Sequence, residues 1–138
     1  MITKQSRGLR NCNPLNIRRA KTEWKGQCKE QTDRQFVQFK SLKWGFRAAF
    51  IILRTYIHKY SLVCVEQIIK RWAPPTENDT EAYIRTVCEW SGIKRDEMLR
   101  FSDSSQMLRL VQAMAYVENG VIIDKHGSMT EGYELAIG

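Results

Sequence analysis

The chain has only two histidines, His58 and His126, and they stand alone. Its four cysteines, Cys12, Cys28, Cys64 and Cys88, are widely spread with no C-x-x-C pair. That spacing gives no zinc-ligand pattern, and a chain of this length needs no disulfide framework to build a core. The expectation is therefore no metal and four reduced, mostly buried thiols. Neither a G-x-G-x-x-G turn nor a phosphate-binding P-loop occurs, so no cofactor is implied. Long apolar runs are also missing: Phe46 to Leu53 is too short and too closely flanked by charge to cross a bilayer, so no membrane insertion is expected. The first ten residues are polar and basic and lack the apolar segment of a secretory signal. The expectation is synthesis in the cytoplasm, with delivery elsewhere by some other route.

Acidic residues are scarce at one end. Residues 1–43 hold eleven Lys and Arg against three acids, a net of +8, while the whole chain carries +7. This basic segment calls for an anionic partner: nucleic acid, an anionic membrane surface or an acidic polymer such as cell-wall glycan. No helix-turn-helix, RNA-recognition or basic-helix pattern supports nucleic acid, which is not expected as a partner. The remaining composition, 43% hydrophobic and 27% charged over 138 residues, suits a single globular domain.

Periodicity predicts a mainly α (α+β) protein: a loop and a small β-hairpin over residues 1–40, then helices over 41–138. Residues 4–22 lack an apolar period and read as an ordered loop, with Pro14 fixing a turn. Glu23 to Gly26 and the alternating run Arg34 to Lys40 read as the arms of the hairpin. Ser41 to Tyr60 is the strongest helix, with Phe46, Ala49, Phe50, Leu53 and Ile57 on one face. A shorter helix over Val63 to Arg71 ends at Trp72-Ala73-Pro74-Pro75. Asn78 is placed to cap the next helix, with Glu81 completing the box, and Gly92 to end it. A short helix near Lys94 to Phe101 and a tail helix around Thr130 to Ile137 complete the prediction.

Ser104 to Gly120 carries the chemistry. Met107, Val111, Met114 and Glu118 fall within an arc of about 60° on a helix, so a carboxylate closes an apolar stripe just before Asn119-Gly120 ends it. Burial there raises the pKa of Glu118, as a general acid working near neutrality requires. The bland alternative is a helix-end glutamate turned out to solvent.

Several blocks resemble a known family. Arg7-Gly8-Leu9-Arg10-Asn11-Cys12-Asn13-Pro14-Leu15-Asn16-Ile17-Arg18 resembles the R-G-x-R-N-x-N-P-x-N-I-R opening of a family of phage and prophage peptidoglycan-degrading virion proteins. Trp24-Lys25-Gly26, Gln31-Thr32-Asp33, Phe36-Val37-Gln38-Phe39, Trp72 to Thr80 (WAPPTENDT) and Glu118-Asn119-Gly120 are similar to further blocks of it, in order. The resemblance implies a lysozyme-like fold and cleavage of the β-1,4 bond between N-acetylmuramic acid and N-acetylglucosamine, by a lytic transglycosylase or a lysozyme-type hydrolase. In related glucosaminidases the catalytic glutamate precedes an N-P-x-N-[LI] loop. Here no carboxylate precedes Asn11, so the resemblance implies a circular permutation with Glu118 brought beside the Asn13–Ile17 loop.

On that resemblance Glu118 is the catalytic acid and Asp33 the candidate second carboxylate, with Glu30 a weaker one. Asp33 has a bland reading as a solvated turn residue. Asn13, Asn16, Ile17 and Arg18 are candidate substrate contacts, the asparagines for N-acetyl groups, although Asx-turn scaffolding explains them equally. Trp24, Phe36, Phe39 and Trp72 offer sugar-stacking faces or, alternatively, core packing. Tyr83 is a ligand-contact candidate beside a capping cluster of Glu77, Asn78 and Asp79. Arg7, Arg10, Arg18 and Arg19 suit wall carboxylates or phosphates, or are simply surface charge. The implied partners are glycan strands and other virion proteins. The competing class is a non-catalytic virion or wall-binding protein of the same shape.

Overall fold

The longest helix, α2 (Leu42–His58), forms because Phe46, Phe50, Leu53 and Ile57 recur on one face and all of them are buried. In the computed structural model, which describes residues 5–123 and 127–138, α2 lies at the centre of the fold. The other helices are α1 (Arg7–Arg10), α3 (Val65–Trp72), α4 (Thr80–Ser91), α5 (Ser104–Asn119) and α6 (Ser128–Ile137). α4 packs on α5 and α3 on α4, while α6 lies along α2 and touches α5. Phe46, Phe50 and Leu53 of α2 share one buried cluster with Met107, Leu110 and Met114 of α5. The chain is mainly helical, as periodicity predicts, and no described helix is long and apolar enough to cross a membrane.

The helix ends follow local chemistry. The Asp103 carboxylate accepts from the Gln106 amide at 3.0 Å and starts α5, and Gly120, at φ 73°, ends it. α4 begins one residue later than expected. Asp79, not Asn78, supplies the cap, accepting from the Ala82 amide at 3.1 Å, while Asn78 Nδ2 donates to the Pro74 carbonyl.

The hairpin does not form. Among the described residues there are only two isolated antiparallel bridges, Arg18 with Phe36 and Gln27 with Phe39. The alternation over 36–39 is real, since Val37 and Phe39 are each 3% exposed. It pairs with two different segments, however, because asparagines occupy the ladder positions. Asn13 Nδ2 donates to the carbonyls of Ile17 and Val37, both at 2.9 Å, and the Asn11 carbonyl accepts from the Phe39 amide. The helix expected near Lys94 to Phe101 is also absent. Its backbone groups serve neighbours instead: Arg95 O accepts from Glu66 N, and Leu99 N donates to Val63 O at 2.7 Å. The Arg95 guanidinium meanwhile pairs with Glu66 and Glu81, tying the segment to α3 and α4. Residues 7–10, expected as loop, form the one-turn α1, capped by Ser6. All four cysteines are free, and they are half-buried rather than buried.

α2 and α6 run parallel. Gly132 meets Lys43 to Arg47 near the start of α2, while further along both helices Arg54 donates to the Ala136 carbonyl at 2.8 Å. A Cβ at Gly132 would stand 2.6 Å from the Phe46 Cβ and 2.9 Å from both Arg47 N and Lys43 O, so two backbones touch there. Gly132→Val is therefore expected to push α6 off α2 and destabilise the protein by about 1–3 kcal/mol or more. Urea unfolding followed by circular dichroism measures this, and a variant of unchanged midpoint would mean the helices do not meet at Gly132.

Candidate active site

The last turn of α5 and the loop after α1 are about a hundred residues apart in sequence and are bonded to each other. Asn119 Nδ2 donates to the Pro14 carbonyl at 2.7 Å, and its Oδ1 accepts from the Ser6 hydroxyl at 2.6 Å. Gly8 permits this approach, because a Cβ there would stand 2.5 Å from Asn119 Oδ1. One residue before Asn119 is Glu118, half-buried as its place on the apolar stripe of α5 requires. Asn16 Nδ2 donates to Glu118 Oε1 at 2.9 Å, from a residue held at φ 52°, a left-handed conformation that asparagine tolerates. The Tyr83 hydroxyl donates to Glu118 Oε2 at 2.9 Å.

Burial pushes the Glu118 carboxyl above its ordinary value of 4.5, and this outweighs the downward pull of Asn16, Tyr83, Arg18 and the Trp72 indole. Tyr83 is 7% exposed, and burial together with the Glu118 charge holds its hydroxyl well above 10, so it remains a donor. A cavity of about 240 Å³ is lined by Asn16, Ile17, Arg18, Ile52, Tyr56 and Trp72, and Asn16 links it to Glu118. Trp72 meets Tyr56 edge-on at 6.2 Å, forming one aromatic wall. Arg18 stands exposed at the rim, 3.7 Å from Glu77 of the WAPPTENDT block. A half-buried carboxyl held by two hydrogen bonds with its pKa raised is chemically able to donate a proton.

Of the predicted site residues, Glu118, Asn16, Ile17, Arg18, Trp72 and Tyr83 come together here, Tyr83 as a partner of Glu118. The others do not. Asn13 is fully enclosed and all its amide bonds go to backbone, including Ile17 N to Oδ1 at 2.8 Å, so it shapes the loop and cannot meet a ligand. Asp33 is saturated: Arg7 grips it through Nε and Nη2, both at 2.7 Å, and Asn11 Nδ2 and the amides of Gln35 and Phe36 donate to it as well. These donors hold its carboxyl far below the usual range and leave no lone pair to position water. Glu30 is simply exposed.

Tyr83 is buried against Glu118 rather than offered to a ligand. Phe36 lies under the guanidiniums of Arg7 and Arg18, at 4.6 and 5.5 Å, and Phe39 is core. Trp24 packs partly buried against the core, with its amide on Gln27, outside the cavity lining. Arg10 and Arg19 donate to the backbone carbonyls of Gln5 and Asp33. His58 meets Phe101 edge-on, and His126 lies outside the described residues. No His, Cys, Asp and Glu group suited to a metal occurs among the described residues. Ile52 and Tyr56 were missed as wall residues, although their spacing of four on α2 was the available signal.

A carboxyl whose pKa is raised on folding binds more protons in the native than in the unfolded state between the two pKa values. Stability attributable to Glu118 is thus highest below about 4.5 and declines as pH rises through the raised value. Thermal unfolding of Glu118→Gln against the parent should show the variant gaining on it between pH 4 and pH 8. A constant difference would mean Glu118 is solvated.

No protein-family model matches the chain. Over 136 residues it is 40% identical to Protein P5 of Pseudoalteromonas phage PM2, a match covering 96% of this chain and 83% of that protein. Identity at that level over nearly the whole chain goes with a shared fold and descent, and the chain belongs to the family of phage Protein P5.

Proposed function

We propose that this protein travels with a phage particle and cuts the host wall, cleaving the β-1,4 bond between N-acetylmuramic acid and N-acetylglucosamine with Glu118 as acid and base. Kinship with a phage protein supports the first part. The single observation behind the second is Glu118 itself: a carboxyl raised by burial, fixed by Asn16 and Tyr83, beside an aromatic-walled cavity. The fold proposed is lysozyme-like and circularly permuted, which accounts for a catalytic helix that follows its N-P-L-N-I loop in sequence. Synthesis in the bacterial cytoplasm, with passage to the wall in the particle or at lysis, fits this reading.

Commitment of Asp33 to Arg7 favours a lytic transglycosylase over a hydrolase. Glu118 gives its proton to the leaving glycosidic oxygen as the bond to the muramic C1 breaks. The resulting carboxylate then takes the proton of the C6 hydroxyl, whose oxygen closes on C1 to give a 1,6-anhydro ring. Arg18, at the rim, suits the carboxylate of the peptide stem.

The second reading is a non-catalytic particle component that binds wall. It is favoured by the phage relative and by the absence, among the described residues, of a carboxylate in the pocket lining. Digestion of purified wall separates the two. Glu118→Gln should lower the rate by about 10²–10⁴-fold with the circular dichroism spectrum unchanged. Mass spectrometry should find products one water lighter than hydrolysed muropeptides. Activity should also fall as pH rises past the raised Glu118 value. Glycan left uncut by both proteins, each still sedimenting with wall, would establish the second reading.

A further inference from the structure

We infer that a cleft between Trp90 and the outer face of α5 binds an N-acetylated sugar of a glycan strand, on the opposite flank of α5 from Glu118. Trp90, the last residue but one of α4, is 50% exposed. Its ring stacks on that of Tyr116, with centroids 4.0 Å apart and planes 26° apart. Neither ring belongs to the core cluster or packs against it. An aromatic pair held in place without serving the core is a surface open to a ligand.

A cavity of about 130 Å³ lies at the pair, lined among the described residues by Trp90, Arg109, Gln112, Ala113, Tyr116 and Ile122. Arg109, Gln112 and Tyr116 follow one another at helical spacing and share one face of α5, about 160–240° round the helix from Glu118. Arg109 is fixed there. Its Nη1 donates to the Ser91 carbonyl at 2.8 Å and its Nε to the Ser105 hydroxyl at 3.3 Å, which leaves Nη2 for a further acceptor. The Gln112 carboxamide, the Tyr116 hydroxyl and the Trp90 indole N–H have no hydrogen-bond partner among the described residues.

These groups fit a sugar better than the other ligands an exposed indole takes. A nucleobase brings phosphates, yet Arg109 is the one cation in the described lining, and the exposed Glu89 stands next to Trp90 in the chain. A carboxylate only accepts hydrogen bonds and would leave the Gln112 carboxamide oxygen unanswered. A pyranose lays a C–H face on an indole, and its hydroxyls both donate and accept. An acetamido group adds a donor, an acceptor and a methyl, which match Gln112 and the apolar Ala113 and Ile122. The cavity is a notch, well under the roughly 300 Å³ of pockets that enclose a whole small ligand. The acetamido group therefore enters it and the ring stays on the indole. The inference shares with the proposed function only the wall as target. A helix about 10 Å across separates the two sites, so a strand held at one leaves the other open.

The probe is chitotetraose, a soluble chain of N-acetylglucosamine units, titrated into the full chain while the Trp90 indole and Gln112 carboxamide N–H resonances are followed by NMR. Saturable shifts at both are expected, also in Glu118→Gln, and maltotetraose, which lacks acetamido groups, should give none. Trp90→Ala and Gln112→Leu alter side chains outside the core and should keep the parent circular dichroism spectrum. Each should raise the Kd about tenfold and lower the fraction of protein sedimenting with wall. No saturable shift at Trp90, equal shifts with maltotetraose, or unchanged affinity in both variants would overturn the site. So would self-association of the parent that Trp90→Ala abolishes, since the patch would then be a contact between copies. The two readings fail separately. Wall left uncut beside normal Trp90 shifts supports this site and sinks the enzyme, whereas wall cut normally with no shift at Trp90 sinks this site alone.

Discussion

One carboxylate joins two stretches of the polypeptide about a hundred positions apart. Glu118 takes a hydrogen bond from Asn16 on the head loop and another from Tyr83 on α4, and Asn119 fastens the same helix end to Pro14 and Ser6. Asn119 and the fully buried Leu15 both hold the loop against the helices, and from there Asn16 reaches Glu118. A polar group this far from water is costly unless it is partnered, and here both oxygens are partnered while burial still dominates the proton balance. The aromatic wall of Tyr56 and Trp72 is arranged around this junction.

The basic head segment is less free than its charge suggests. Arg7 is spent on Asp33, Arg10 and Arg19 on carbonyls, and Arg18 is shared between Phe36 and Glu77. Lys21, Lys25, Lys29, Arg34 and Lys40 stay exposed along the segment, and Arg18 stands at the rim of the Glu118 pocket.

Helices were legible because their signals are local. The stripe from Met107 to Glu118 and the stop at Gly120 needed only periodicity and a cap, and α2 and α6 likewise stand where the pattern puts them. The hairpin was misread because alternation reports which side chains are buried, not which strand sits alongside. Asn13 and Asn11 took the ladder's partners, and no local pattern announces that. Asp33 illustrates the same limit: whether a carboxylate is available depends on Arg7, 26 positions away. The role of Tyr83 rested on a contact across 35 positions. Glu118 itself was identified from its own helix and its neighbour loop from the resemblance, whereas its bond to Tyr83 was not.

The junction between Ser6, Pro14, Asn16 and the end of α5 spans more than a hundred positions of sequence. During translation the head loop leaves the ribosome about a hundred residues before its partner does. Closing so long a loop is slow compared with forming a helix. A nascent chain, or one broken before Asn119, therefore carries an unorganised carboxylate. The pocket is assembled only once the residues through Asn119 have been made.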